Sequence, residues 1–133
     1  MKHLDAVLAH IDANIDASLE RLFAFLRIPS ISTDLAYQAE CRVAAEYVAA
    51  DLRSIGFSAG LRETAGHPVV LANAGNGAAP RVLFYGHYDV QPVDPLDLWE
   101  TPPFTPRLAA LPDGRKAIVA RGACDDKGQV MTF

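Results

Sequence analysis

Two short stretches hold the residue types that could do chemistry. One is Gly86-His87-Tyr88-Asp89-Val90-Gln91-Pro92, and the other is Arg121-Gly122-Ala123-Cys124-Asp125-Asp126-Lys127-Gly128. In the first, the run Val82-Leu83-Phe84-Tyr85 stops at Gly86 and a His-x-Asp pair follows. If that run is a buried strand, side chains alternate, and His87 and Asp89 point to the same side. An imidazole beside a carboxylate suits a metal-ligand histidine whose second ring nitrogen is held in place. Asp125 offers a second donor, and a carboxylate can bridge two ions. Paired ions activate a water and polarise a carbonyl. A catalytic zinc takes about four ligands, so His87 and Asp125 are only part of a set. The reaction also needs a general base, usually a glutamate. No glutamate follows Glu100, so the base and the remaining ligands are not visible in this sequence.

Plainer readings stand beside this one. Asp125 and Asp126 lie where a helix is predicted to begin, and either could be an N-cap or a carboxylate that complements the helix dipole. His87-x-Asp89 alone is a short pattern that chance supplies. The metal reading gains because both clusters follow predicted strands and a proline-rich loop joins them. Open α/β sheets place their sites at such strand ends. His67, between Gly66 and Pro68, reads as a turn residue in preference to a ligand. His3 and His10 fall off the apolar stripe of their helix and are expected in solvent. Cys41 reads as a small buried helix residue, and Cys124 as packing beside the site in preference to a reactive thiol. The two cysteines carry no disulfide or metal spacing. Gly75-x-Gly77 resembles the start of a dinucleotide-binding loop, but such a loop must open a helix. Pro80 and a β-rich run follow here, so the reading is a turn.

The elements that would position the two clusters can be laid out in order. Leu4, Val7, Leu8, Ile11, Ile15, Leu19, Leu22, Phe23 and Leu26 form a helical stripe over about 4–26, which ends before Pro29. Arg27 to Asp34 is a loop. A second helix is predicted from about Ala36 to Ile55, with Cys41, Ala44, Ala45, Val48, Leu52 and Ile55 on its buried face and Gly56 as its stop. Strands follow at Phe57–Glu63 and Val69–Ala72, and the central strand at Arg81–Gly86. Pro92 to Pro106 is a long irregular loop, since its prolines fit neither helix nor sheet interior. Trp99 and Phe104 predict that it is ordered and packs near the site. Asp113-Gly114 is a hairpin-type turn, Ala117–Ala120 a short buried strand, and Lys127 opens a helix.

Composition narrows the class. The 133 residues suffice for one domain with a core. The net charge of -4, without basic clusters, excludes a nucleic-acid surface. No apolar stretch approaches the ~20 residues of a membrane helix. The N-terminus carries acids where a signal peptide would be basic, so a cytoplasmic location is expected.

Together, the Gly86–Pro92 and Arg121–Gly128 motifs resemble the zinc-dependent aminopeptidase-like amidohydrolases. That family includes carnosinase-type and nonspecific dipeptidases, glutamate carboxypeptidase, aminoacylase, acetylornithine deacetylase and succinyl-diaminopimelate desuccinylase. Phe25-Leu26-Arg27-Ile28-Pro29-Ser30-Ile31-Ser32 resembles the family's N-terminal segment, and Trp99–Phe104 its post-motif loop. The Asp-Asp-Lys-Gly-Gln and Val-Gln-Pro forms point to the dipeptidase branch.

The resemblance implies an α/β fold, a three-layer αβα arrangement with a mixed sheet between helices. Residues 1–133 would be the N-terminal portion of a catalytic domain, with the rest of that domain and a lid or dimerisation domain absent. It implies that His87 is a metal ligand, that Asp125 bridges two Zn2+ ions (Mn2+ or Co2+ also fit), and that Asp89 is an active-site residue orienting His87. No metal role carries over to Asp126. The implied substrate is a dipeptide or short peptide, and the full-length parent a homodimer that binds neither nucleic acid nor membrane. The chain by itself is expected to be inactive. A non-catalytic metal-binding or inert fragment and an N-acyl-amino-acid deacylase are the alternatives, with a nucleotide-binding module on Gly75-x-Gly77 least supported.

Overall fold

The elements follow from the periodicities above with few changes. In the computed structural model, which describes residues 3–75, 77 and 80–132, helix α1 spans Leu4–Leu26. Only its C-terminal end is deeply buried, through Phe25 and Leu26. Leu4, Val7, Leu8, Ile11 and Ile15 are each about half exposed, so the first three turns of the stripe are not covered. Beyond Leu26 the chain turns at Arg27–Ile28, as Pro29 requires.

A short 3-10 turn at Leu35–Tyr37 leads into α2, Gln38–Ser54, which starts two residues later than the pattern suggested. Asp34 caps the 3-10 turn by accepting from the Ala36 N–H at 2.9 Å. Cys41, Ala44, Ala45 and Ala49 are buried on the inner face of α2. Ile55, expected inside, is half exposed. The helix stops at Gly56, whose φ of +96° only a residue without Cβ takes easily. The Gly56 and Phe57 N–H groups donate back to Arg53 O and Leu52 O, which satisfies the last carbonyls.

Strands β1, Ser58–Arg62, and β2, Val69–Asn73, pair antiparallel with Gly60 opposite Leu71. Helix α2 lies on this hairpin. A second antiparallel pair joins β3, Arg107–Ala110, to β4, Lys116–Val119. The turn between them carries Gly114 at φ +84°, where Asp113-Gly114 predicted it. Helix α3 is one turn, Lys127–Val130.

The α/β class agrees with solved structures of relatives given below. One expected element differs. Residues 81–86 lie outside both ladders and are not assigned as a strand. Val82, Leu83 and Tyr85 are 74%, 93% and 85% exposed, so this segment is not buried within the described residues. A strand is defined by its neighbours, and hydrophobic β-formers without them give only extended chain. Farther along, Val90 forms a parallel bridge with Ile31.

The core gathers where these pieces meet. Phe25, Leu26, Ile31, Val90 and the small residues of α2 are all buried, with Ser30 and Lys127 among them. Phe25 stacks on Tyr47 with ring centroids 5.2 Å apart. Asn76, Ala78 and Ala79 lie outside the described residues, but Gly75 and Gly77 have φ of +90° and +79°, as a turn requires. Among the described residues no helix is long and apolar enough to cross a membrane.

Candidate metal centre

Two glycines bring the two motifs together. A Cβ on Gly86 would stand 2.6 Å from Val130 Cγ2 and 3.1 Å from Asp126 Oδ2. The extended segment can therefore lie against α3 only because residue 86 has no side chain. Gly122 turns the chain after β4 with φ +83°, and a Cβ there would stand 2.7 Å from Val90 Cγ1. The Asp125–Asp126 peptide that follows is cis.

His87 sits between two carboxylates. Its Nδ1 lies 3.1 Å from Asp89 Oδ1 and 3.1 Å from the Asp89 carbonyl. Both are acceptors, so Nδ1 carries the proton and donates. That leaves Nε2, 3.0 Å from Asp125 Oδ1, with its lone pair facing a carboxylate when the ring is neutral. Two acceptors at that distance repel unless a positive charge, a proton or a cation, lies between them. Partial burial works against the imidazolium. Hydrogen bonds to the Asp89 backbone and to Asp125, with the charges of Asp89 and Asp126, outweigh it and hold His87 above the usual histidine range.

The donor set fits a divalent cation in part. An imidazole nitrogen and a carboxylate oxygen sharing a zinc ion ~2.1 Å from each fall about 3–3.5 Å apart at ordinary coordination angles. His87 Nε2 and Asp125 Oδ1 meet this spacing, and Asp125 is largely exposed, with room for further ligands. Among the described residues, no group of three or more His, Cys, Asp and Glu side chains converges.

Four residues that the sequence left without a site role support this pair. Asp126 stands at the N-cap of α3 but makes no side-chain cap bond. Its Oδ2 instead accepts from the His87 backbone N–H at 3.1 Å, which fixes the two motifs to each other. Ser32 Oγ donates to Asp89 Oδ2 at 2.5 Å. His67, expected as a turn residue, is no part of the pair, and its Nε2 donates to the Ser32 carbonyl at 2.9 Å. Lys127 is fully buried, and its Nζ donates to Phe25 O at 3.0 Å and Ile28 O at 2.7 Å. It thereby caps the C-terminus of α1, where a cation is favoured. It also lies 4.6 Å from the Phe25 ring. Burial pushes its amine down to about 7 against weaker opposition from Cys41 and Asp89.

The proline-rich loop packs beside the second motif, as its aromatic residues predicted. Trp99 Nε1 donates to Val93 O at 2.9 Å. The Arg121 guanidinium lies over the Trp99 ring at 5.3 Å, and Arg121 N donates to Pro103 O. Cys41 is buried as expected, Cys124 is exposed, and both are free thiols. His3 and His10 are exposed.

Residues 83–133, which include both motifs, match the model of peptidase family M20/M25/M40. The Cys-Gly metallodipeptidase dug1 of Schizosaccharomyces pombe is 32% identical over 139 residues, covering 96% of this chain and 28% of that protein. Among solved structures, the di-peptidase Dug1p from Saccharomyces cerevisiae superposes with a TM-score of 0.82. It is 27% identical and covers 99% of this chain and 30% of its own. Human carnosine dipeptidase 1 gives a TM-score of 0.81 at 29% identity, over 97% of this chain and 29% of its own. The chain thus spans under a third of the length of these relatives. In the paired motifs at the site, the family match over them and the shared fold, the chain is similar to peptidase family M20/M25/M40.

Proposed function

We propose that His87 and Asp125 are two ligands of a divalent-metal centre of dipeptidase type, and that Asp89 orients His87. The observation that carries this reading is the pairing of His87 Nε2 with Asp125 Oδ1 at 3.0 Å while Nδ1 is held by Asp89. An imidazole so held can present only Nε2 to a cation, which is the usual way a ligand histidine is prepared. The names of the relatives, a Cys-Gly metallodipeptidase and a carnosine dipeptidase, support peptide hydrolysis with a dipeptide as substrate class.

Zinc is the first candidate for the ion, with manganese and cobalt suited to the same donors. When bound, such an ion polarises a carbonyl and lowers the pKa of a water. The protein's part here is to aim Nε2, to keep Nδ1 protonated, and to hold the Asp125 carboxylate opposite. Among the described residues no third such donor joins the pair, so the chain alone is expected to turn over no dipeptide.

The test is metal binding by the chain itself. After dialysis against Zn2+, the unsubstituted chain is expected to retain zinc, and His87→Ala and Asp125→Asn to lose it. Retention by both variants at the unsubstituted level would overturn the reading. A dipeptide panel with added Zn2+, Mn2+ or Co2+ tests the second part, and turnover that His87→Ala abolishes would refute the expected inactivity.

A further inference from the structure

The segment Arg27–Ser32 is bound to the His87 motif more closely than packing requires. Ser30 O accepts from Val90 N at 2.9 Å, and Ser30 Oγ donates to Tyr88 O at 2.7 Å. Those two bonds already hold the backbone on either side of Asp89. Ile31 and Val90 add the parallel bridge, and both side chains are buried. The bond from Ser32 is different in kind. It goes to the side chain of Asp89, to the one carboxylate oxygen that His87 does not use.

A carboxylate only accepts, so the Ser32 hydroxyl must donate. With Oδ2 fixed by Ser32 and Oδ1 by His87 Nδ1, the Asp89 carboxylate has one orientation left. Ser32 itself is held from behind, because His67 Nε2 donates to its carbonyl at 2.9 Å. The result is a chain of contacts from the β1–β2 turn to the metal pair: His67, Ser32, Asp89, His87, Asp125. Such outer partners of a ligand histidine set its ring orientation and its basicity.

We propose that Ser32 is a positioning residue for His87, acting through Asp89, and that its hydroxyl is required for tight metal binding by His87 and Asp125. The inference rests on the metal centre proposed above.

The test is Zn2+ affinity of the chain, by competition with a chromophoric chelator, in four variants. Ser32→Ala and Ser32→Val are expected to weaken binding about tenfold, the lower end of the range for lost outer-shell partners, and Ser32→Thr to stay within about threefold. Threonine and valine share one shape and differ only in the hydroxyl. A role in packing alone would therefore weaken both equally, and that result overturns the inference. So does affinity in Ser32→Val equal to that of the unsubstituted chain. His87→Ala separates the two readings. If it loses zinc while Ser32→Val binds normally, the metal centre stands and the role of Ser32 falls. If zinc binding by the unsubstituted chain does not depend on His87, both fall.

Discussion

Replacing Lys127 by methionine tests the physical account of the site's support most directly. The change keeps the length of the side chain and removes its donors. Lys127 Nζ makes two hydrogen bonds, to Phe25 O and Ile28 O. Neither carbonyl is orphaned by the change, because Ile28 N still donates to the first and Ser30 N to the second. With burial lowering its pKa to about 7, the amine is neutral in mild alkali and has two N–H donors for two acceptors. At about 0.5–1.5 kcal/mol for each neutral hydrogen bond, the loss is about 1–3 kcal/mol. Methionine fills nearly the same volume, so little is added for a cavity. Against a total of about 5–15 kcal/mol for a small domain, that is a large fraction.

The same residue fixes a pH dependence whose sign can be worked out. Between about 7 and the ordinary lysine value of 10.5, the unfolded chain holds a proton that the folded chain lacks. Stability therefore rises with pH through this window, by at most about 1.4 kcal/mol per pH unit. Below it, both states are protonated and the contribution is constant. The assay is urea unfolding of the metal-free chain, followed by circular dichroism, at about pH 7.5, 8.5 and 9.5. Lys127→Met should show a flatter curve, so the unsubstituted chain gains on it steadily as the pH rises. Parallel curves for the two proteins would refute the reasoning.

Two further substitutions probe the site and the surface. A Cβ on Gly128 would stand 2.1 Å from the Ala123 carbonyl oxygen, and a backbone atom cannot step aside as a side chain can. Gly128→Ala is expected to destabilise by about 3 kcal/mol, the upper end for overpacking, and to weaken Zn2+ binding by displacing Asp125; an unchanged urea midpoint would contradict this. On α1, Val7 and Ile11 are half exposed. Val7→Asn with Ile11→Gln is expected to change stability by less than about 0.5 kcal/mol per site, and a larger loss on urea unfolding would refute it.

The regular elements were legible in the sequence because their signals are local. The α1 stripe, the Gly56 stop, the β1–β2 pair and the Asp113-Gly114 turn each depend on neighbours a few residues away. The pairing of His87 with Asp125 was legible from residue type and from the family resemblance. Strand β3 was missed, since Arg107-Leu108-Ala109-Ala110 follows a proline-rich loop and carries few strong β-formers. The Asp113-Gly114 turn was the available clue, because a hairpin needs a strand on both sides. The segment 81–86 failed in the opposite direction. Its residues favour a strand, but partners decide pairing, and no local pattern supplies them. Ser32, His67, Asp126 and Lys127 were not found because their roles exist only through distant contacts. A lysine is ordinarily exposed, so nothing in its type announced a buried cap at the end of α1.

Those distant contacts also order events in time. The bonds from Lys127 to Phe25 and Ile28 span 102 and 99 residues, and those from Ser30 and Ser32 to the His87 motif span 58 and 57. The α2–β1–β2 unit closes through far shorter loops. Because chain entropy is spent before long-range contacts return it, the local unit is expected to order first and the pairing of His87 with Asp125 to follow late in folding. The geometry at His87 is thus a late product of closure between the ends of the chain. A nick or insertion near Ile28, far in sequence from both His87 and Asp125, would leave most helical signal intact and still erase their pairing.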